Sequence, residues 1–401
     1  MDLHREDKPH IGFFGRCNTG KSTLVNMLAG QNVSIVSQTK GTTTDTVKKT
    51  MELFGAGSVV LIDTAGIDDA SPLGEKRVEK TMQAFNLTDV SVVVISQNIA
   101  GSYEKDLLQK SKERNIPCIL VYNKNDECPV NEQTLRFMQQ SKEDFLILSA
   151  LDKADVKQLS ELIAAKLNQR ETETENVLQN IVKQGDTVVM VTPIDTSAPK
   201  GRLILPQVKM IRQALDCHAM CLTVQPDELQ QALNSLNRPP KLVITDSQAF
   251  EYVNKIVPRS VYLTSFSLLL AKQKGNFDLY AKGLEQIDRL CDGDTVLMLE
   301  SCTHQPTCED IGRVKLPAML KKYTSKQLNC KAVAGLTDTE KDISKVKLVI
   351  QCGGCVASMQ QLKNRLQPFV SMNIPVTNYG MAIAYMNGIF KRCSEIFFTN
   401  G

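Results

Sequence analysis

The strongest constraint on the fold of this chain is the segment Gly15–Ser22, which reads GRCNTGKS and fits the pattern G-x-x-x-x-G-K-[ST]. The segment follows an apolar, strand-like run, Ile11–Phe14, and opens a helical stretch, Lys21–Ala29. In this setting glycines let backbone N–H groups curl around phosphates, and the helix N-terminus adds a favourable positive potential. The sequence therefore predicts a phosphate-binding P-loop at the carboxyl end of a strand in an α/β domain.

The phosphate side of the predicted site has a defined role for each polar residue. Lys21 is expected to reach the β- and γ-phosphates, and the Ser22 hydroxyl to bind Mg²⁺. Asp63, in the motif DTAG after an apolar run, can hold the magnesium shell, while the Gly66 amide can contact the γ-phosphate. Thr43, in the switch-like segment GTTTD, is predicted to contact the same ion. The predicted phosphate-binding residues are Gly15, Asn18, Gly20, Lys21, Ser22 and Thr23, and the predicted catalytic residues are Lys21, Ser22, Thr43, Asp63 and Gly66.

The base-binding side of the predicted site has a motif typical of guanine recognition. Asn123, Lys124 and Asp126 form the pattern N-K-x-D directly after the apolar run Ile116–Tyr122. The Asp126 carboxylate can accept both N–H groups on the Watson–Crick edge of guanine, whereas adenine offers no such pair and would leave an acceptor unpaired. Ser149 and Ala150, which follow another apolar run, suit backbone contact to the guanine oxygen. Together these motifs predict a GTPase that uses GTP, GDP and Mg²⁺.

Short apolar runs alternate with amphipathic helical stretches along much of the chain, which is typical of parallel sheets covered by helices. The predicted fold class is therefore α/β. We predict a P-loop GTPase domain with a parallel sheet at residues 1–170, a small α/β domain at 177–264 and a further α/β domain at 265–401. The polar stretch Asn168–Asn176 is the expected linker after the first domain.

Composition narrows the functional classes. The net charge of +3 is small for 401 residues, and Trp is absent, so we expect no nucleic-acid partner. No apolar run approaches the roughly 20 residues that span a bilayer, and the N-terminus lacks a signal-peptide pattern, so we expect a cytoplasmic protein without a membrane partner. Twelve cysteines in such a chain indicate metal binding, redox chemistry or burial, not disulfides.

Three of these cysteines follow strand-like runs in the last domain. Cys302 comes after Thr295–Leu299, in the element Cys-x-His with His304, and Cys352 and Cys355 come after Val346–Ile350 in CGGC. Because ligand sites form beyond the carboxyl ends of parallel strands, neighbouring strands would bring the three thiols together. Four interpretations of these cysteines remain open. They are a 4Fe–4S cluster with one open iron, a zinc site completed by His304, a redox pair whose second cysteine opens a helix, and plain structural burial.

Resemblances to two known families extend these predictions. Ile67 stands where Ras-like GTPases carry a water-positioning glutamine, while Asn18 and the GTTTD loop resemble the tRNA-modification and Era-like class of P-loop GTPases. In that class an equivalent asparagine helps to bind a potassium ion that substitutes for an arginine finger. The resemblance therefore implies slow intrinsic hydrolysis that K⁺ stimulates, with Asn18 at the potassium site.

The order GTPase domain, small central domain, Cys-x-His and then Cys-Gly-Gly-Cys resembles the HydF family of FeFe-hydrogenase maturation GTPases. The segments Glu309–Lys315 and Pro375–Gly380 are similar to that family as well. The resemblance implies a scaffold that binds a 4Fe–4S cluster and a di-iron precursor of the hydrogenase active site, which it delivers to apo-hydrogenase. It also implies two radical-SAM maturases as partners and a homodimer, able to associate further, formed through the domain at 177–264, with the cluster in the domain at 265–401.

By the same resemblance Cys302, Cys352 and Cys355 match the cluster ligands, and His304 is a candidate fourth ligand. Many relatives carry histidine directly before the second cysteine group, where this chain has Gln351. The extra thiol of Cys308 is interpreted as structural. Two alternatives stand beside this function: a GTPase for tRNA modification or ribosome assembly, and a GTPase with a purely structural zinc site.

Overall fold

The structure, a computed structural model of the chain, describes residues 8–31, 38–39, 47–66, 72–171, 176–194, 201, 203–301, 311–336, 342–355 and 357–398. These residues form three sheets with helices packed against them. Among the described residues, no helix combines the length and the apolar character that a bilayer crossing requires.

The first sheet has seven strands in the order β2-β3-β4-β1-β5-β6-β7. These strands are β1 (His10–Gly15), β2 (Gln38–Thr39), β3 (Val47–Leu53), β4 (Gly57–Asp63), β5 (Val90–Ile95), β6 (Cys118–Tyr122) and β7 (Asp144–Ile147). The helices that accompany them are α1 (Lys21–Gln31), α2 (Pro72–Leu87), α3 (Ser102–Glu113), α4 (Glu132–Gln140) and α5 (Lys153–Glu171). Strands β4, β1, β5, β6 and β7 run parallel, and β3 pairs antiparallel with β4. All six residues of β5 are buried because helices cover both faces of the central strands.

The second sheet has four parallel strands in the order β11-β10-β8-β9. They are β8 (Thr187–Val191), β9 (Met220–Val224), β10 (Leu242–Thr245) and β11 (Tyr262–Ser265). The helices of this part are α6 (Leu205–Asp216), α7 (Leu229–Ser235), α8 (Phe250–Ile256) and α9 (Phe266–Gln273).

The third sheet also has four parallel strands, in the order β13-β12-β14-β15. They are β12 (Thr295–Glu300), β13 (Asn329–Ala334), β14 (Val346–Gln351) and β15 (Val376–Asn378). The helices are α10 (Phe277–Gly283), α11 (Leu316–Thr324), α12 (Met359–Ser371), α13 (Tyr379–Met386) and α14 (Phe390–Ser394). One apolar core joins this sheet to the second, since Val243 and Leu263 belong to the same buried cluster as Val296 and Leu348.

The α/β class and the parallel sheets predicted from the sequence are confirmed. Three strands were not predicted, β2, β3 and β13, and all lie at or next to a sheet edge. β2 has only two residues, and β3 and β13 have the polar sequences VKKTMEL and NCKAVA. Such strands lack the continuous apolar run that marks a strand buried on both faces, so their pattern does not stand out from a loop.

Candidate functional site

The P-loop joins β1 to α1, as the sequence predicts. Asn18 has a left-handed backbone, with φ of 60°, and its side chain is exposed at the mouth of the loop. Gly20 also has positive φ, 89°, and a Cβ added there would lie 2.2 Å from Nδ2 of Asn123. Glycine is therefore required at this position both by the backbone angle and by the close approach of the neighbouring motif.

The Lys21 side chain is buried inside the P-loop. Its Nζ donates hydrogen bonds to the carbonyl oxygens of Gly15 at 3.1 Å and of Arg16 at 2.6 Å. The Thr19 hydroxyl donates to the same Arg16 carbonyl at 3.0 Å, which closes the loop on itself. The ammonium group is thus held at the centre of the loop, where the phosphates of a nucleotide are cradled.

Asn123 links three of the predicted motifs. Its side chain is buried, Nδ2 donates to the Thr19 carbonyl at 2.9 Å, and Oδ1 accepts from the Ala150 N–H at 2.9 Å. The Ser149 N–H in turn donates to the Asp155 carboxylate at 2.8 Å. The first residue of N-K-x-D therefore joins the phosphate loop to the loop predicted to contact the guanine oxygen.

Asp63 ends β4 beside the P-loop. Burial raises the pKa of its carboxyl group, although a hydrogen bond from Ser22 and the nearby ammonium groups of Lys21 and Lys49 act in the opposite direction. Its Oδ1 is buried without a hydrogen-bond partner among the described residues. A buried carboxylate oxygen left open next to a hydroxyl is the donor set that Mg²⁺ binds, so Asp63 and Ser22 fit the predicted magnesium site.

Gly66 lies against the P-loop from the opposite side. The thiol of Cys17 donates to the Gly66 carbonyl at 3.2 Å, and the Thr64 hydroxyl donates to the Phe13 carbonyl at 2.5 Å. The DTAG segment is therefore fixed to β1 and the P-loop, with Gly66 adjacent to the phosphate cradle. Thr43, predicted to contact Mg²⁺, lies outside the described residues.

The base end of the site is open. Asp126 is exposed, and Lys124 has a left-handed backbone with φ of 63° while its Nζ lies 3.4 Å from the Glu127 carboxylate. The predicted guanine-reading carboxylate is thus accessible at the carboxyl end of β6, next to the Asn123 link. This is where the sequence places the base.

The segment with Cys352 and Cys355, called here the cysteine loop, follows β14. It lies beside the carboxyl end of the neighbouring parallel strand β12, as predicted. The Cys352 N–H donates to the Leu299 carbonyl at 2.8 Å, and the Ser301 N–H points at the Cys352 sulfur at 3.1 Å. Ser301 precedes Cys302, which lies outside the described residues together with His304 and Cys308. Among the residues that the structure does describe, no three His, Cys, Asp or Glu side chains are arranged to hold a metal ion.

Gln351 is wholly buried and links Ser301, which follows β12, to the cysteine loop. Its Nε2 donates to the Ser301 hydroxyl at 2.9 Å and lies 3.4 Å from the Cys352 sulfur, whereas its Oε1 has no partner among the described residues. The Cys352 sulfur thus faces two N–H donors, from Ser301 and from Gln351. Groups of this kind stabilise a thiolate, which is the form of cysteine that binds iron or zinc.

The backbone after Cys352 is held by a buried lysine. Nζ of Lys274 donates to the carbonyl oxygens of Gly354, at 2.5 Å, and Ala357. Gly354 has φ of 61°, and a Cβ there would lie 2.7 Å from Leu362. Helix α12 begins only at Met359, after Ser358 as its N-cap. The expectation that Cys355 opens a helix is therefore wrong, because the next helix begins only at Met359, beyond the carbonyl oxygens that Lys274 binds.

Further buried polar residues surround the cysteine loop and were not singled out from the sequence. Arg365 donates to the Glu300 carbonyl at 2.7 Å. The Glu300 carboxylate accepts from Arg313 Nη2 at 2.9 Å and, with both oxygens, from Arg313 Nε at 3.2 Å. Tyr280 is buried, and its hydroxyl has no hydrogen-bond partner among the described residues. Burial and the neighbouring Cys352 raise the pKa of the Tyr280 hydroxyl. Isolated polar residues in apolar helices carry no motif, so sequence patterns do not reveal them.

Comparison with known protein families divides the chain into three matches. Residues 10–124 match the 50S ribosome-binding GTPase family. Residues 177–275 match the hydrogen maturase F dimerization domain, and residues 278–396 match the hydrogen maturase F tetramerization domain. The predicted class, a P-loop GTPase domain followed by two α/β domains, is confirmed.

Individual relatives are GTPases that match part of this chain. The chain is 34% identical to the tRNA modification GTPase MnmE of Lachnoclostridium phytofermentans over 37% of this chain and 32% of that protein. It is 30% identical to the GTPase Era of Rippkaea orientalis over 42% of this chain and 52% of that protein. The chain thus spans about a third to a half of the length of these relatives. A crystal structure of Aquifex aeolicus Era bound to GDP and AlF4⁻ shares 21% identity at a TM-score of 0.34, over 55% of this chain and 94% of that one.

Proposed function

This chain belongs to the hydrogen maturase F family, and from that premise we propose that it is a GTP-hydrolysing scaffold for assembly of the FeFe-hydrogenase active site. It binds a 4Fe–4S cluster and a di-iron precursor, and it delivers the precursor to apo-hydrogenase. The observation that carries the proposal is the cysteine loop. In a chain with a GTPase domain, the Cys352 sulfur faces N–H donors at the edge where the strand leading to Cys302 also ends.

The nucleotide chemistry follows from the geometry of the P-loop. Lys21, centred in the loop, binds the β- and γ-phosphates in place of the carbonyl oxygens that it contacts here. Ser22 and Asp63, with Thr43, would hold Mg²⁺, which neutralises charge that develops on the transferred phosphoryl group. Asp126 selects guanine through its carboxylate. Position 67 is isoleucine, so no side chain there orients the attacking water, and intrinsic hydrolysis is slow.

Potassium stimulation is part of the same proposal. Asn18 is exposed at the mouth of the P-loop, where its amide oxygen can bind a cation next to the phosphates. Replacement of K⁺ by Na⁺ should then lower the hydrolysis rate of the native protein. In Asn18→Ala the two salts should give equal rates while GTP affinity is retained. Equal rates in the native protein would remove the potassium role and leave the GTPase assignment intact.

The cluster site fits the residues that the structure describes. Cys352 faces two N–H donors, and the loop between the cysteines, CGGC, carries no bulky side chain. Cys302, Cys352 and Cys355 would supply three thiolate ligands, and His304 is the candidate for the fourth. When bound, a 4Fe–4S cluster with a weakly held fourth ligand supplies an exchangeable iron position at which a second metal centre can attach. Gln351 is a poor candidate for that fourth ligand, because an amide oxygen is a hard donor and the iron of such a cluster prefers soft donors.

The partners follow from the scaffold role. Residues 177–275 and 278–396 match dimerization and tetramerization domains, so self-association is part of the architecture. We propose a homodimer formed through the second domain, with further association through the third. Apo-hydrogenase as recipient and two radical-SAM maturases as suppliers of the precursor complete the proposal, in which GTP hydrolysis gates exchange of these partners.

Anaerobic purification with iron, sulfide and zinc analysis, followed by EPR of the reduced protein, tests the scaffold. A 4Fe–4S signal that is lost in Cys352→Ala and retained in Cys330→Ala would support it, because Cys330 lies on β13 of the same sheet, away from the loop. Lys21→Ala should abolish GTP hydrolysis and keep the cluster. Zinc in place of iron, or no metal after anaerobic reconstitution, would contradict the scaffold and leave a GTPase with a structural site.

A further inference from the structure

Helix α12, which follows the cysteine loop, is bonded to the end of α2, the helix that follows the DTAG motif of the nucleotide site. We propose that α12 couples the two sites, so that the nucleotide state of the GTPase domain sets the conformation of the cysteine loop. This inference deepens the proposed function and rests on it for GTP binding at the P-loop. It does not require that a cluster be bound.

Side chains of α12 cap the C-terminus of α2. The last four carbonyl groups of a helix have no partner within the helix. In α2 the Leu87 carbonyl accepts from Gln361 Nε2 at 2.9 Å, and the Phe85 and Asn86 carbonyls accept from Asn364 Nδ2 at 3.1 and 3.4 Å. Both amides are almost wholly buried. The end of α2 is therefore completed by a different domain, and movement of α2 must break these bonds or carry α12 with it.

Further hydrogen bonds join α12 to residues of the first domain outside α2. The Ser358 hydroxyl donates to the Asp89 carboxylate at 2.5 Å, and the other Asp89 oxygen accepts from the His10 N–H at 2.8 Å. Nε2 of Gln360 donates to the carbonyl of Arg114, the C-cap residue of α3, at 2.6 Å. Because His10 begins β1, which ends at the P-loop, α12 is connected to both strand and helix elements of the nucleotide site.

Packing ties the end of α2 to the P-loop strand. The rings of Phe85 in α2 and Phe14 in β1 stack with centroids 3.9 Å apart. Leu336, which follows β13, packs against the cluster that contains both rings. The contact between the domains thus combines directed hydrogen bonds with an apolar surface, and it lies beside β1, the strand that ends at the P-loop.

The other end of α12 is bonded to the cysteine loop. The Ser358 hydroxyl accepts from the Gln361 N–H at 3.1 Å, so the residue that contacts Asp89 is also the N-cap of α12. Gly354 lies against Leu362 of α12, and Lys274 holds the carbonyl oxygens of Gly354 and Ala357. A shift of α12 at Ser358 therefore moves the backbone on which Cys355 lies.

The direction of signal follows from general GTPase behaviour. In GTPases generally, contacts to the γ-phosphate and Mg²⁺ order the switch regions, which are released on hydrolysis. Because α2 follows the DTAG motif, it is the element expected to respond to the nucleotide. Since the same bonds cap α2 and position α12, a ligand at either site changes the affinity at the other by the same factor.

Hydrogen–deuterium exchange tests the coupling in the whole chain without a bound cluster and with Mg²⁺ present. It is measured once with GDP and once with a non-hydrolysable GTP analogue. Exchange of the peptide that spans the cysteine loop and the start of α12 should differ by roughly fivefold or more between the two nucleotides, in the range of ordinary coupling energies. Asn364→Asp, which replaces the donor by an acceptor facing the α2 carbonyls, should abolish that difference. Gln367→Glu makes the same amide-to-carboxylate change at an exposed position of α12 and should retain the difference.

Asn364→Ala removes the donor without adding charge and replaces the aspartate variant if that variant does not fold. Equal exchange with both nucleotides in the native protein would overturn the coupling, as would a difference that survives in the Asn364 variants. A parallel titration with a fluorescent nucleotide distinguishes failure of the coupling from failure of the GTPase assignment. Absence of GTP binding would overturn the GTPase assignment and the coupling together, whereas absence of iron would leave the exchange result unaffected.

Discussion

The side-chain nitrogen of Asn123 lies 2.9 Å from the carbonyl oxygen of Thr19, and this bond joins the base-reading motif to the phosphate loop. The opposite side of the same amide accepts from the Ala150 N–H. One buried side chain thus sets the distance between the phosphate cradle and the two loops predicted to contact guanine. Its role is to position these loops, since both of its polar atoms are occupied by protein groups.

Removal of this amide should weaken binding of GDP and GTP equally. Asn123→Ala leaves the Thr19 carbonyl and the Ala150 N–H without their partner, at a cost of about 1–3 kcal/mol in the free energy of unfolding. We expect a similar loss in nucleotide affinity, roughly tenfold or more, measured by titration of a fluorescent nucleotide. Gln133→Ala, at an exposed position of α4, is the matched control and should bind as the native protein does. An unchanged affinity in Asn123→Ala would show that the loops hold their spacing without this link.

Asp126→Asn should change the base that the site accepts. The carboxylate accepts from two N–H groups of guanine, whereas an amide presents a donor to one of them. Affinity for GTP should fall by roughly 10²–10⁴-fold, because hydrogen bonds to charged groups contribute about 1.5–3 kcal/mol each. Xanthosine triphosphate, which offers a carbonyl where guanine has its amino group, should bind better to the variant than to the native protein.

Competition titrations with the two nucleotides measure this exchange. Glu132→Gln makes the same chemical change at an exposed position nearby and should keep the preference for guanine. If GTP affinity in Asp126→Asn were unchanged, the carboxylate would not be the group that reads the base.

The nucleotide site could be predicted from the sequence because each motif lies directly after a buried strand. The carboxyl ends of β1, β4 and β6 meet at one edge of the first sheet, so local patterns are sufficient to bring the P-loop, DTAG and N-K-x-D together. The same rule placed the strand before Cys302 beside the strand that leads to Cys352, and the structure confirms that pairing.

The contacts that the sequence did not reveal are those between domains. Asn364, Gln361 and Gln360 occupy helical positions where an amphipathic pattern leaves buried and exposed polar residues indistinguishable. Their partners are backbone carbonyls far away in the chain, and a carbonyl group carries no side-chain signal. The hydrogen bonds at the C-terminus of α2 could therefore be recognised only from the structure.

Gln351 offers a test of how the buried amide acts on the cysteine loop. Gln351→Leu keeps the size of the side chain but removes the N–H that lies 3.4 Å from the Cys352 sulfur. Hydrogen bonds to the ligand sulfurs stabilise the reduced cluster, so their loss should lower its reduction potential. We expect a decrease on the order of 50 mV, since 59 mV is a tenfold change for a one-electron couple.

Potentiometric titration followed by EPR measures this shift. Gln327→Leu, at an exposed position before β13, should leave the potential unchanged. Iron content should be equal in the two variants, because Gln351 is not a ligand. Loss of iron in Gln351→Leu alone would mean instead that the amide is needed to hold the cluster.

His10 makes the stability of the protein dependent on pH. Burial, with the nearby Lys48 ammonium, lowers the pKa of its imidazole from 6.5 to about 4. Between these values the unfolded chain binds a proton that the folded chain does not, so the free energy of unfolding decreases as the pH falls from about 6.5 towards 4. The decrease attributable to His10 is about 3 kcal/mol at most.

Urea unfolding at pH 7 and pH 4.5 checks this dependence. His10→Gln has no titrating group at this position, so its stability should fall less between the two pH values than that of the native protein. His218→Gln, at an exposed position before β9, should follow the native protein. Because Gln361 Nε2 lies 3.1 Å from His10 Nδ1, protonation also acts at the surface between the first and third domains. An equal loss of stability in His10→Gln and the native protein would assign the acid sensitivity to carboxyl groups instead.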